Sequence, residues 1–400
     1  MLSHDNYVWL ITSTEDDLGK KLKAPEFEGR MISYLPMNHV AAQLTDMYLS
    51  VFLGTQLFFT DISALRGTLG DYVLEIKPTV FFGVPRIWEK FEEKLRTIEM
   101  QQGPLDAEQA KKILGFENCQ KLYAGAAPMS EKTRIYFNEK DMYINNTFGM
   151  SEACGTTCCT TYNAPQFKDL KGIGKPFPGF EAMILNPDAS GKGELGFRTR
   201  SVFMGYLKNE EATRQTKDEH AILHSGDECI IDPETGVVSI TGRLKEIIMT
   251  SGGENVAPVP IEHAVKQELA FISNAVLIGD QQKYIQVMLT FKVNLTPIGK
   301  PTQELSPEAL GELEKLGIKG ITTVTQAAEH PQVKEAITDG IKRANKQAVS
   351  AAATVKDWFV VFDDFWVGGG ELTPTLKLKR KEIVAKHQEA IAKAYSRGSD

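Results

Sequence analysis

Thr241 to Asn255 reads T-G-R-L-K-E-I-I-M-T-S-G-G-E-N. Two cations, Arg243 and Lys245, flank Leu244 and lie beside Glu246. A β-prone run, Ile247 to Met249, follows, and Ser251-Gly252-Gly253 closes the stretch as a small-residue turn. Glycine there permits positive φ and lets backbone approach a ligand closely. Fixed cations beside a permissive turn suit an anionic, phosphate-bearing ligand. Taken alone, the stretch reads equally as a strand, a turn and a solvated charge cluster, so its meaning depends on what surrounds it.

Upstream, strands alternate with helices. Met31 to Leu35 reads as a strand, Pro36 as a turn, and an apolar helix starts at about Val40. Phe58 and Phe59 sit in a second strand. The run K-P-T-V-F-F-G-V, 77 to 84, is a buried strand. Pro85 then opens a helix with Glu89, Glu92, Glu93 and Arg96 on its polar side. Lys121 to Ala127 enters a small-residue turn, and Ser130 caps a helix with Glu131 in its first turn. Asp141 to Thr147 is strand-like, with a turn expected at Phe148-Gly149. This order predicts a parallel, wound α/β sheet with ligands at the carboxyl ends of its strands. After residue 170 short strands and many glycines predict an antiparallel, barrel-like piece. There Gly191 to Gly196 fits G-x-G-x-x-G, but the strand-like Phe197 to Met204 follows it where a phosphate-binding helix belongs, so it reads as a hairpin turn.

Downstream of Thr241 the expected elements are a helix (Pro260 to Ala270), strands (Asn274 to Ile278, Ile285 to Val293) and a polar helical insertion from about Ser306 to Ala352. A last strand, Trp358 to Phe362, and a helix, Lys381 to Tyr395, complete an α+β piece.

The 400 residues suggest two or three domains, with 42% apolar and 24% charged residues, as in ordinary globular proteins. A net charge of −7 argues against nucleic-acid binding by bulk charge. Five cysteines without paired metal-ligand spacing read as reduced thiols in the cytoplasm. Met1 to Asp5 lacks the basic and apolar regions of a signal peptide. The longest apolar run, Met47 to Phe59, contains Gly54 and Gln56 and is too short to span a bilayer, which leaves peripheral membrane contact open.

Four turns carry the chemistry: A-G-A-A-P (124 to 128), N-T-F-G-M-S-E (146 to 152), H-S-G-D (224 to 227) and T-G-R-L-K-E (241 to 246). In that order they offer backbone dipoles for a flat base, a carboxylate for a metal, a carboxylate for a sugar diol and a cation for phosphate or ribose. The set suits a nucleotide. Gly149-Met150-Ser151-Glu152-Ala153 nearly matches the hydrolase elbow G-x-S-x-G, but Ala153 breaks it. Together with Y-L-P-M-N-H-V-A-A-Q (34 to 43), N-N-T-F-G-M-S-E (145 to 152), G-R-L-K-E-I-I-M-T-S-G-G-E-N-V-A-P (242 to 258) and G-E-L-T-P-T-L-K-L-K-R (370 to 380), these turns make the chain resemble the adenylate-forming enzymes. Within them it looks like the long-chain acyl-CoA synthetases of the bubblegum type.

The resemblance implies a partial large domain followed by a smaller α+β domain. The large domain would be wound α/β over 1–170 and β-rich over 171–243, and 244–400 would be a mobile lid. It implies ATP, Mg²⁺ and CoA, with a long-chain or very-long-chain fatty acid as substrate. Glu152 matches the Mg²⁺ ligand; Ala126, Ala127 and Pro128 match the turn under adenine; Asn146, Thr147, Phe148, Gly149, Met150 and Ser151 match the nucleotide-binding run. Asp227 matches the ribose aspartate and Arg243 the arginine near ribose and phosphate. His39 matches the histidine near the acyl carboxylate, although a plain core histidine is its alternative. Lys245 falls at the hinge, Gly252 and Gly253 line the pantetheine tunnel, and Lys377 is the lysine brought to the carboxylate and α-phosphate during adenylation. The family's Gly/Ser/Thr-rich phosphate loop is absent from these 400 residues. The expectation is therefore the carboxy-terminal part of a longer ligase, a very poor ligase by itself. The alternatives are a non-catalytic fragment binding acyl chain, nucleotide or a partner, and a ligase for another acid. The expected place is the cytoplasm, with peripheral contact to endoplasmic reticulum or other membranes.

Overall fold

In the computed structural model, residues 1–14, 28–61, 64, 67–127, 129–160 and 172–397 are described. They fall into two units, Met1–Thr241 and Gly242–Asp400. The division expected near residue 170, like Pro128, lies outside the described residues.

In the first unit, β1 (Arg30–Ser33) pairs in parallel with β2 (Gln56–Phe59). The segment between them is helical: α turns Val40–Ala42 and Ser50–Leu53 flank a π stretch, Gln43–Leu49. A five-stranded sheet follows, with β3 (Val80–Gly83), β4 (Lys121–Ala124), β5 (Ile144–Met150), β6 (Gly155–Cys159) and β7 (Lys175–Pro176) in that order. The β3–β4–β5 part is parallel, as the alternation of strands and helices predicts; β5, β6 and β7 are antiparallel.

Pro85 takes the first turn of helix Pro85–Gln102, where its missing N–H costs nothing. Ile87, Trp88, Phe91 and Leu95 form the buried face of that helix. Trp88 packs edge-on against Phe81 of β3 at 5.5 Å between ring centroids and donates from Nε1 to the Tyr123 carbonyl at 3.1 Å. Burying a large ring while satisfying its one donor is what fixes this helix on the sheet. Ser130 caps helix Glu131–Asn138, accepting from Thr133 N, as expected.

The expected turn at Phe148-Gly149 is instead part of β5, and Asp141 to Tyr143 is not strand. Gly149 serves a close approach: a Cβ there would lie 2.0 Å from the Gly155 carbonyl oxygen of the partner strand.

Four antiparallel strands form the β-rich piece: β8 (Glu181–Leu185), β9 (Gly193–Arg198), β10 (Leu223–Ile231) and β11 (Val238–Arg243), in the order β11-β10-β9-β8. The sheet is open between β8 and β11, and one bridge, Gly174 to Val238, ties β11 to the stretch before β7. The hairpin turn expected over Gly191 to Gly196 lies earlier, where Asp188 Oδ1 accepts from Ser190 N and Lys192 N at 2.7 and 3.0 Å. Gly193 and Gly196 are strand residues under crossing side chains, and a Cβ on Gly193 would meet the Leu185 oxygen at 2.4 Å.

In the second unit, β12 (Ile248–Met249) and β13 (Asn255–Val256) form a small hairpin around the expected Ser251-Gly252-Gly253 turn. The main sheet has β14 (Ile272–Ile278) and β15 (Ile285–Phe291) antiparallel. After the side hairpin of β16 (Val293–Leu295) and β17 (Pro301–Leu305), β18 (Val355–Val360) returns parallel to β15. Strand side chains alternate between faces. Ile285, Val287, Leu289 and Phe291 enter one core with helices Pro258–Glu268 and Pro331–Ala344, while Met288 enters the opposite core with Ile383 and Ala394. The helix expected from Lys381 to Tyr395 is two, Arg380–Lys386 and Gln388–Arg397, broken at His387. His387 leaves helical geometry (φ −108°, ψ 20°), with its ring beside Phe365 at 5.9 Å. All five cysteines are free thiols. Among the described residues no helix is long and apolar enough to cross a membrane.

Candidate active site

The carboxyl ends of β4 and β5 lie side by side, paired through Ala124 and Asn146. Thr147 Oγ1 donates to the Ala124 carbonyl at 3.0 Å. A Cβ on Gly125 would lie 2.3 Å from that hydroxyl, so only glycine passes here. Ala126 follows at φ +72° and Ala127 is exposed, so the turn presents backbone to solvent. Asn146 is committed to the fold: its N–H donates to Thr160 Oγ1 at 2.8 Å and its side chain to the Gly172 carbonyl at 3.4 Å. Phe148 stacks on Phe197 of β9 at 6.3 Å, and with Met150 it packs on the core that contains Cys229 of β10. β5 and the strand that carries Asp227 thus share one core.

β5 ends in a 3₁₀ turn, Ser151–Ala153, closed by Cys154 at φ +66°. The turn directs Glu152 and Ser151 into a cavity of about 490 Å³ that Tyr7, Gln43, Tyr48 and Tyr206 also line. Tyr206 Oη donates to Glu152 Oε1 at 2.6 Å, and burial followed by the Glu152 carboxylate raises the phenol's pKa, keeping it a donor. His39 caps the helical segment whose next turns supply Gln43 and Tyr48: its Nδ1 accepts from Ala41 N at 3.1 Å. The cap supplies an N-terminal acceptor and sets the ring at the segment's start.

Asp227 is 4% exposed and stands on β10 where the strand's register with β9 shifts between His224 and Glu228. Tyr206 and Glu194, which shape the surroundings of Glu152 and Asp227, are absent from the residues given a role in the sequence, and His224 enters there only as the first residue of the H-S-G-D turn. The only signal for Tyr206 is its place after Gly205, at φ +147°.

The remaining residues belong to the second unit. Arg243 Nη1 lies 3.5 Å from Glu246 Oε1, and Lys245 sits exposed in the 3₁₀ turn Leu244–Glu246. Gly252 and Gly253 are exposed in a turn held by Gly253 N to Thr250 O at 2.9 Å, with Gly253 at φ +80°. Lys377 stands on a loop folded back on itself. Thr373 N donates to Lys377 O at 2.8 Å, Lys377 N to Thr373 Oγ1 at 3.0 Å, and Leu376 takes φ +61°. Three residues on, Arg380 grips Glu262 with Nη1 to Oε1 at 2.7 Å and Nη2 to Oε2 at 2.9 Å, and its Nε lies 3.8 Å from Glu246 Oε2.

The sequence profile described as AMP-binding enzyme matches residues 1–207, and that of the AMP-binding enzyme C-terminal domain matches residues 245–308. The chain is 39% identical over 435 residues to a long-chain-fatty-acid–CoA ligase, ACSBG2, of Gallus gallus, covering 99% of this chain and 56% of the relative. It is 36% identical to ACSBG1 of Homo sapiens, covering 99% of this chain and 59% of that protein. The chain therefore spans less than two thirds of these relatives. Among solved structures, the A domain of a carboxylic acid reductase from Segniliparus rugosus, in complex with AMP and a co-purified carboxylic acid, superposes with a TM-score of 0.69 at 21% identity. That match covers 97% of this chain and 59% of that one. The Bacillus subtilis o-succinylbenzoate coenzyme A synthetase with ATP and magnesium gives 0.64 at 17% identity, covering 95% of this chain and 65% of that one. With the matched profile over half its length, the chain belongs to the AMP-binding enzyme family.

Proposed function

We propose that the protein to which this chain belongs is an ATP-dependent long-chain fatty acid–CoA ligase. A carboxylate oxygen of the fatty acid bonds to the α-phosphorus of ATP as the bond from phosphorus to the bridging oxygen breaks, and pyrophosphate leaves with the electron pair. The sulfur of CoA then bonds to the acyl carbon, its proton passes to solvent, and AMP leaves. The observation that carries this reading is Glu152 at the end of β5, held by Tyr206 on a 490 Å³ cavity within the family-matched residues.

In this reading Glu152 holds Mg²⁺, which neutralises phosphate charge when bound. Among the described residues no three His, Cys, Asp or Glu side chains gather into a cage. That suits an ion that takes one or two carboxylates and completes its shell with phosphate and water. Ala126, Ala127 and Pro128 would lie under the adenine with Phe148 beside it, Asp227 would accept from the ribose hydroxyls, and Arg243 would meet ribose or phosphate. His39 would face the acyl carboxylate. Lys377 would offer a point charge to the α-phosphate as charge develops there. Lys245 would be the hinge, and Gly252-Gly253 the turn beside pantetheine. A long acyl chain partitions into membranes, so we place the protein in the cytoplasm with peripheral contact to endoplasmic reticulum or similar membranes.

The test is Lys377→Ala in the full-length protein, with palmitate as substrate. ATP–pyrophosphate exchange should fall about 10²- to 10³-fold, while conversion of supplied palmitoyl-adenylate with CoA should persist. Equal loss in both assays would remove Lys377 from adenylation; absence of exchange in the unsubstituted protein would remove the ligase reading.

A further inference from the structure

Strands β9 and β10 are in register at Gly196 and His224, and again at Glu194 and Glu228. Ser225, Gly226 and Asp227 therefore stand opposite Leu195 alone. A bulge forfeits ladder hydrogen bonds, and here side chains replace them. Glu194 Oε1 accepts from Gly226 N at 2.9 Å, and Glu194 Oε2 lies 2.9 Å from His224 Nδ1. Ser225 Oγ accepts from Asp227 N at 3.0 Å. His224 Nε2 lies 3.8 Å from Asp218 Oδ2, and Asp218 Oδ1 is fixed by the N–H groups of His220 and Ile222 at 2.9 Å each. Gly226 at φ +72° makes the corner, which a side chain there would strain.

The bulge is thus gripped at both ends of one carboxylate, and Asp227 is the residue immediately after the gripped amide. We propose that Glu194 is the positioning residue that aims Asp227 at the ribose hydroxyls of the nucleotide; the inference rests on the reading of Asp227 given above. Glu194 takes no part in contact with the nucleotide. It acts by holding the Gly226 amide and the His224 ring, which fixes the Ser225–Gly226 peptide one residue before Asp227 and so the path of the bulge that carries the Asp227 side chain. A general structural role would weaken every nucleotide alike, whereas misaiming Asp227 weakens only ligands that carry the diol.

The experiment is calorimetric titration of the 400-residue chain with AMP and with 2′,3′-dideoxy-AMP, for the unsubstituted chain, Glu194→Ala, Glu194→Gln and Asp227→Asn. The unsubstituted chain should prefer AMP by about tenfold or more, the worth of a charge-assisted hydrogen bond. Asp227→Asn and Glu194→Ala should each erase most of that preference while leaving dideoxy-AMP affinity unchanged. Glu194→Gln keeps an oxygen for Gly226 N and should keep the preference. If the unsubstituted chain shows no preference, or Asp227→Asn retains it, the reading of Asp227 itself fails. If Asp227→Asn erases the preference and Glu194→Ala retains it, only the positioning role fails. If Glu194→Ala and Glu194→Gln lose both ligands together, Glu194 is a folding residue and the proposal is overturned.

Discussion

Asp227 stands on a strand swollen by a bulge, while Lys377 stands on a loop folded back on itself, and the two are held by different means. The Asp227 bulge is gripped from the neighbouring strand by one carboxylate, Glu194, whose side chain is 20% exposed. The Lys377 loop is anchored from its base, where the two-pronged bond from Arg380 to Glu262 joins side chains only 15% and 8% exposed. Glu262 Oε1 also accepts from Leu277 N at 2.6 Å, which fastens the pair to β14. A half-wet clamp can direct a side chain without contributing much to stability, because water competes for each of its bonds. A dry ion pair ties local geometry to the folding of its whole unit, because either charge left alone there is costly.

Glu262→Ala provides the strongest challenge to that contrast. It leaves Arg380 buried without its carboxylate and should cost the second unit about 3–5 kcal/mol. Glu194→Ala should cost the first unit only about 1 kcal/mol. Peptide-resolved hydrogen exchange with and without urea reads both losses separately. Equal losses would erase the distinction between the two kinds of hold.

The two units should also answer pH with opposite slopes. Asp46, buried in the π stretch with Thr45 Oγ1 at 2.5 Å, has its carboxyl pushed up to about 6, chiefly by burial and against its hydrogen bonds. Between the ordinary carboxyl value of 3.8 and about 6 the folded chain binds the proton that the unfolded chain has released. Stability from this group is therefore present below the lower value and lost as pH rises through the upper one. Asp46→Asn should relieve roughly 2–3 kcal/mol above pH 6 and flatten the slope between. In the second unit, burial and then Lys386 hold His387 below the ordinary imidazole value of 6.5. The unfolded imidazole takes up a proton that the folded one refuses, so that stability is lost as pH falls below 6.5. Thermal unfolding of the unsubstituted chain and Asp46→Asn from pH 4 to pH 8 checks the first slope. An unchanged difference across that range would show that the buried carboxyl does not govern the first unit.

The smallest effect concerns the strained turn after β4. Ala126 at φ +72° carries a methyl group where glycine would be at ease, and little side chain would be lost by removing it. Ala126→Gly should stabilise the first unit by about 0.5–1 kcal/mol, the relief of a left-handed conformation less the added chain entropy. Denaturant midpoints measure it, and destabilisation would mean that the contact of this half-buried methyl group with the core outweighs the strain.

Much of this molecule is legible in the linear order of residues. Apolar runs that end in Pro85 or are followed by Ser130 name their own strands and caps, because proline and serine act on the neighbouring backbone groups alone. The turn Ser251-Gly252-Gly253 and the antiparallel character after residue 170 are readable for the same local reason. Where the reading fails, a distant partner decides. Gly149 and Gly193 look like turn residues, yet each sits in a strand because another backbone passes within contact distance of its missing Cβ. Glu194 and Tyr206 carry no motif of their own; they matter because strand pairing places Glu194 beside Gly226 across 32 residues of chain, and the fold places Tyr206 beside Glu152 across 54. Local chemistry specifies which donors and acceptors each turn offers, since they belong to the turn's own residues. How those groups are held is decided only by the tertiary structure, since the holding atoms come from other strands.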